Sequence, residues 1–126
     1  MRVWGSTLQE LFLNSLKGIG QYLLEDSSVK GRDEKRVREK FLVEAVDIHS
    51  LLVEFMSHVL ARMEMGNILF TGAIFERFGD DFIQGELVGN PISEFTNEIS
   101  GIAYEGVEIK KDPATGRFET TLMFDT

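Results

Sequence analysis

The sequence predicts an α+β domain in which two helices pack on one face of a mixed sheet, in the order short strand, helix, strand, helix, four strands. Three observations predict it. Two stretches of the first half carry apolar residues at three- and four-residue steps, and the stretch between them alternates with a period of two. Beyond Asn67 the helical pattern vanishes, and strand-like runs flank two turn-forming clusters, Gly79-Asp80-Asp81 and Asp112-Pro113-Ala114-Thr115-Gly116.

Each element has a local cause. Met1 to Trp4 is the short strand. Thr7 and Glu10 have the capping-box spacing that satisfies free amides at a helix start. Leu8, Leu11, Phe12, Leu16, Ile19 and Leu23 then form one stripe, which predicts a first helix from about Thr7 to Glu25. Gly18 and Gly20 inside it imply close approach to another element. Val37, Phe41, Val43 and Ala45 share one face of a half-buried strand, with Arg38, Lys40 and Glu44 on the other. Asp47 suits an N-cap. Ile48, Leu51, Leu52, Phe55, Met56, Val59, Leu60 and Met63 predict a second helix from about Ile48 to Met65, stopped by Gly66 and Asn67. Met56, Met63 and Met65 read as core filler. A hairpin follows, Ile68 to Phe78 and Phe82 to Val88, with Gly89-Asn90-Pro91 breaking its second strand. A second hairpin joins Ile99–Lys111 to Phe118–Phe124, and there Phe118, Thr120, Leu122 and Phe124 take the core face.

All 126 residues form a single domain. A chain near this length buries roughly two-thirds of the surface its unfolded form exposes, so it holds a core without staples. It has no cysteine, which excludes disulfide scaffolds, thiolate zinc sites, iron–sulfur clusters and a cysteine nucleophile. No apolar run is long enough to span a bilayer and no signal-like segment follows Met1, so a cytoplasmic protein without membrane association is expected. The formal charge of −8 argues against direct nucleic-acid binding, which depends on a basic face. One local exception runs from Lys30 to Lys40, with six basic residues against three acidic; it reads as an edge-guarding surface, or else as a docking patch for an acidic partner or RNA.

Few residues suggest chemistry. His49 and His58 lie nine positions apart on one helix, which places them about 180° apart around its axis and prevents a shared ligand. Glu54 and His58 form an i,i+4 pair, and a solvated face is the reading of both histidines. No metalloprotease or serine-hydrolase signature occurs, and no nucleophile–base pair is visible, so a small stand-alone hydrolase is disfavoured. Gly18-Ile19-Gly20 falls late in a helix, where it cannot cradle a phosphate. Asp80 and Asp81 read as solvated turn residues. Asp125, beside Thr126 at the end of the last strand, offers oxygen donors to a hard cation, but too few for calcium, which takes 6–8.

The ordered set of local motifs resembles the archease family across the whole chain. The resemblance rests on Trp4-Gly5-Ser6-Thr7-Leu8-Gln9-Glu10 with Leu11-Phe12, on the junction from Val43 to Phe55, on Gly89-Asn90-Pro91, on the run from Glu98 to Tyr104, and on Phe124-Asp125. It implies a non-enzymatic accessory protein of tRNA splicing or RNA repair, which activates a GTP-dependent tRNA-splicing RNA ligase by promoting guanylation and turnover. It also implies a divalent cation site, calcium in the family, for which Asp125 and Thr126 match two positions.

The chain departs from that pattern too. The family's opening strand carries a His-Thr-Ala-Asp motif whose Asp binds metal, and Met1 to Trp4 holds no counterpart, which leaves this end short by the strand that would complete the site. Ser100 stands where the family has Lys, and Glu105 where it has His. The alternative expectation is therefore a protein-interaction module that keeps the fold but has lost the metal site and the activating role.

Overall fold

The computed structural model describes residues 1–23, 36–92, 95, 97–103 and 107–125. The order is β1 (Arg2–Gly5), α1 (Leu8–Leu23), β2 (Val37–Glu44), α2 (Ile48–Gly66), β3 (Ile68–Phe78), β4 (Phe82–Pro91), β5 (Gly101–Ile102), β6 (Lys110–Lys111), β7 (Phe118–Thr121) and β8 (Phe124–Asp125). The α+β class and the alternation of its first half are as the sequence predicts.

The capping box closes α1 as expected, with one adjustment. Thr7 Oγ1 accepts from the Glu10 N–H at 3.0 Å, but Glu10 Oε1 reaches back to the Ser6 N–H at 3.1 Å. Thr7 is thus the cap and the helix begins at Leu8; the expected end at Glu25 lies outside the described residues, as does the Lys30–Lys35 part of the basic segment. In α2 the Asp47 carboxylate accepts from the Ser50 N–H at 2.7 Å, and Asn67 ends the helix in the left-handed region at φ 49°.

Both helices pack against β3, α1 also against β1 and α2 also against β2. Their stripes meet in one core, where Phe12 and Phe55 are fully buried with Phe70, Leu51, Met56 and Ile83. Six aromatic pairs link Phe12, Phe41, Phe55, Phe75 and Phe78 at centroid distances of 5.0 to 6.1 Å. Met65 is a correction: it is 77% exposed, because it lies off the stripe that buries Met56 and Met63.

Every described strand pairing is antiparallel, in three ladders ordered β2-β4-β3, β1-β7-β6 and β5-β8. The basic residues Arg38 and Lys40 therefore sit on an edge strand, and Arg38 pairs with Glu86 of the neighbouring strand at 3.3 Å. Two boundaries differ from expectation. Gly89-Asn90-Pro91 continues β4 instead of breaking it, since Gly89 pairs with both Val37 and Phe70, and Pro91 with Ile68. Gly89 is needed there for close approach: a Cβ would fall on the Leu69 carbonyl oxygen.

The second expected hairpin is split. Asp112 to Gly116 does connect paired strands, β6 and β7, with the Asp112 carboxylate accepting from the Ala114 N–H at 2.9 Å. The earlier part of the Ile99–Lys111 run, however, pairs elsewhere, as β5 on β8. Between β7 and β8, Leu122 exchanges two backbone hydrogen bonds with Met1, at 2.7 and 2.8 Å. The segment from Phe118 to Asp125 thus serves β1 and Met1 along one edge and β6 and β5 along the other, so no single partner spans it.

Candidate functional site

The expected site residue Asp125 stands at the end of β8, opposite Gly101 of β5, with its side chain exposed. Ser100 secures the junction twice. Its N–H donates to the Asp125 carbonyl oxygen at 2.6 Å and its hydroxyl donates to the same oxygen at 2.9 Å. That carbonyl is occupied, which leaves the Asp125 carboxylate as the oxygen donor facing solvent. Thr126 and Glu105 lie outside the described residues. Among the described residues no group of three His, Asp or Glu side chains comes together to hold a metal. Fewer than three such side chains do not supply a calcium shell of 6–8 oxygens, so the described residues do not fit the cation that the resemblance implies.

Ser100, where the resemblance leads one to expect a lysine, is exposed, and its short hydroxyl donates to the backbone of the facing strand. Beside it lies a hollow of about 560 Å³, lined by Glu64, Asn67, Phe95, Asn97, Glu98, Ile99 and Ser100. Its described lining is acidic and amidic, and holds no basic group among the described residues.

The histidines are separated as their spacing predicts, but neither is simply solvated. His49 Nδ1 accepts from the Ile109 N–H at 2.9 Å in a partly buried contact. His58, also partly buried, lies beside Arg62 and Glu39; burial first, then the Arg62 charge, holds its pKa below the usual histidine value, with Glu39 opposing. Arg62 Nε donates to Glu39 at 2.7 Å. Sequence spacing alone carried no sign of the His49 contact, whose partner lies 60 positions away. The hydroxyls of Ser15, Ser100 and Thr120 all donate to backbone carbonyls, of Leu11, Asp125 and Glu108. None of the three is directed at an imidazole. Asp80 and Asp81 are exposed at the hairpin tip, and the Asp81 carbonyl accepts from the Ala45 N–H at 2.8 Å. No described helix is long and apolar enough to cross a membrane.

Two helices on antiparallel ladders, closed by a β5–β8 clasp that ends in an aspartate, define the class of small α+β domain to which the archeases belong. The sequence profile described as the Archease protein family matches residues 1–126, and the chain belongs to that family. It is 27% identical over 116 residues to protein archease of Methanosarcina mazei, covering 86% of this chain and 77% of that protein. Over 118 residues it is 27% identical to protein archease of Methanosarcina barkeri, covering 87% and 78%. The fold is similar to that of a Thermotoga maritima archease described as a possible chaperone, with a TM-score of 0.69, 13% identity and coverage of 100% of this chain and 88% of that one. A Methanobacterium thermoautotrophicum protein solved in solution gives a TM-score of 0.71 at 20% identity, covering 99% and 89%.

Proposed function

We propose that this protein is a non-enzymatic cytoplasmic accessory of a GTP-dependent tRNA-splicing RNA ligase, acting by promoting the ligase's guanylation and repeated turnover. The observation that carries this reading is the family match over the full 126 residues, since it spans every element of the fold and not one shared motif. The −8 charge supports it: an acidic domain works on RNA most readily through a partner that supplies the phosphate-binding groups. Affinity capture with the ligase of the same organism tests it. Specific retention of the ligase is expected, and no retention at micromolar protein would overturn the reading.

A second reading, an interaction module that has lost the activating site, is favoured by one observation: among the described residues no group of three carboxylates or imidazoles gathers at Asp125 or elsewhere. It predicts that calcium raises the melting temperature no more than an equal ionic strength of sodium chloride. A shift that grows with calcium in the mass-action form, and disappears in Asp125→Asn, would instead restore the cation site to the account.

A further inference from the structure

The two edges of the β2-β4-β3 ladder are built differently. β3 breaks register with β4 twice, between Phe70 and Gly72 and between Phe75 and Arg77, and such bulges twist an edge away from any further strand. β2 keeps unbroken register with β4 from Val37 to Glu44, so its outer edge is regular over eight residues. One bond just beyond it fixes which groups face outward: the Ala45 N–H donates at 2.8 Å to the carbonyl of Asp81, the residue before β4. Alternation then turns the amides of Phe41 and Val43 toward β4 and those of Lys40, Leu42 and Glu44 toward the free edge. Among the described residues no strand pairs with that edge. The side chains of Lys40, Leu42 and Glu44 share the face turned away from the helices, since Phe41 and Val43 take the buried one. Leu42 is 58% exposed, and Val46, two residues beyond the strand, is 88% exposed. Arg38 has Glu86 as its counter-ion, but neither Lys40 nor Glu44 makes an ion pair among the described residues.

From this arrangement we infer that β2 pairs antiparallel with β2 of a second copy of this chain, about a two-fold axis at Leu42. Charge complementarity selects both the occupant and the register. An axis at Leu42 sets Leu42 against the partner's Leu42, Arg38 against the partner's Val46, and Lys40 against the partner's Glu44, the last twice by symmetry. Both exposed apolar side chains are then covered, and both free charges are answered. The neighbouring registers do worse. An axis at Lys40 opposes two lysines, and one at Glu39 opposes two glutamates and sets Arg38 against Lys40. An axis at Phe41 leaves Lys40 facing the partner's Leu42 and draws Glu44 to Arg38, which Glu86 already answers. An axis at Val43 sets Leu42 against the partner's Glu44. A lysine guards an edge against strands that offer it no counter-charge; here Glu44, four residues along the same strand, supplies one from an antiparallel copy. The main-chain groups of Lys40, Leu42 and Glu44 meet their counterparts directly in this register, because all three point outward. The contact is shorter than a standard stable interface, so the dimer is weak and reversible.

Sedimentation equilibrium of the full chain should show reversible exchange between monomer and dimer with Kd of about 10–300 μM. Lys40→Glu and Glu44→Lys, each of which sets like charges opposite one another, should weaken the dimer about tenfold or more, and the double exchange should restore it. Leu42→Pro removes a donor from the free edge without touching the β4 ladder, and should leave a folded monomer. Amide exchange at Leu42 and Glu44 should slow as concentration rises, while that at Phe41 and Val43 stays the same. Ile74→Ser, which removes an exposed apolar side chain of β3, should leave the equilibrium unchanged. Far-ultraviolet circular dichroism verifies each fold; should Leu42→Pro unfold, the charge variants still decide. A monomeric mass at about 500 μM would overturn the inference. So would a dimer that both single charge variants leave intact, a double exchange that fails to restore it, or a dimer dissociated by Ile74→Ser, which would place the contact on the open face of the sheet. None of these readouts involves the ligase, so their failure leaves the proposed accessory role standing.

Discussion

His49 and Ile109 are joined by a hydrogen bond of 2.9 Å, in which the backbone N–H of Ile109 donates to Nδ1 of the imidazole. The bond fastens the segment entering β6 onto the first turn of α2, and so ties the C-terminal ladders to the helical layer. His49→Ala leaves that partly buried amide without its acceptor and should cost about 1–3 kcal/mol in urea unfolding. His49→Asn, whose side-chain oxygen can replace Nδ1, should recover much of the loss. Amide exchange at Ile109 should accelerate in the alanine variant and much less in the asparagine variant.

Phe55 is the centre of the aromatic core, with Phe12, Phe41 and Phe75 at centroid distances of 5.7, 5.4 and 5.8 Å. It belongs to α2 and touches rings from α1, β2 and β3, so its removal opens a cavity where helices and sheet meet. Phe55→Ala should cost about 3–5 kcal/mol, seen as a lower denaturation midpoint at unchanged slope, and Phe55→Leu clearly less.

Gly89 and Gly72 separate two roles that look alike in a sequence. A Cβ at Gly89 would meet the Leu69 carbonyl oxygen, whereas nothing lies within 4 Å of one at Gly72. Gly89→Ala should therefore destabilise by about 3 kcal/mol or more, and Gly72→Ala should change stability by less than about 1 kcal/mol. Equal effects on thermal melting would contradict this assignment.

These positions show what the sequence could carry. The caps at Thr7 and Asp47, the stripes of α1 and α2 and the alternation of β2 depend on neighbours a few residues away, and all were legible. Gly89 was not, because glycine marks both a turn and a close strand crossing. The splitting of the runs after Ile99 was not either, since it depends on which strand Phe118 to Asp125 meets along each edge. At the candidate site, Asp125 could be placed from its position at a strand end. The absence of a three-ligand cluster among the described residues, the bonding of Ser100 to Asp125 and the His49 contact all depend on long-range pairing and carry no local sign.

His58 gives a pH dependence of defined sign. Burial, reinforced by Arg62 and opposed by Glu39, lowers its pKa, so the folded state prefers the neutral ring. The stability this contributes is fully present above the unfolded value of about 6.5 and is lost as pH falls through that value toward the folded pKa. The urea midpoint should drop between about pH 7.5 and about pH 5, and His58→Gln should make that drop smaller. An unchanged drop in the variant would contradict the sign.

The most direct test of the central claim counts ligase turnovers. Purified GTP-dependent tRNA-splicing RNA ligase, limiting over its substrate and supplied with GTP, is followed for covalent guanylate and for joined RNA, with and without this protein. The proposed role predicts faster formation of the guanylated ligase and more rounds of ligation per ligase than the ligase completes alone. Unchanged guanylation and unchanged turnover, at a protein concentration that saturates its binding to the ligase, would contradict it.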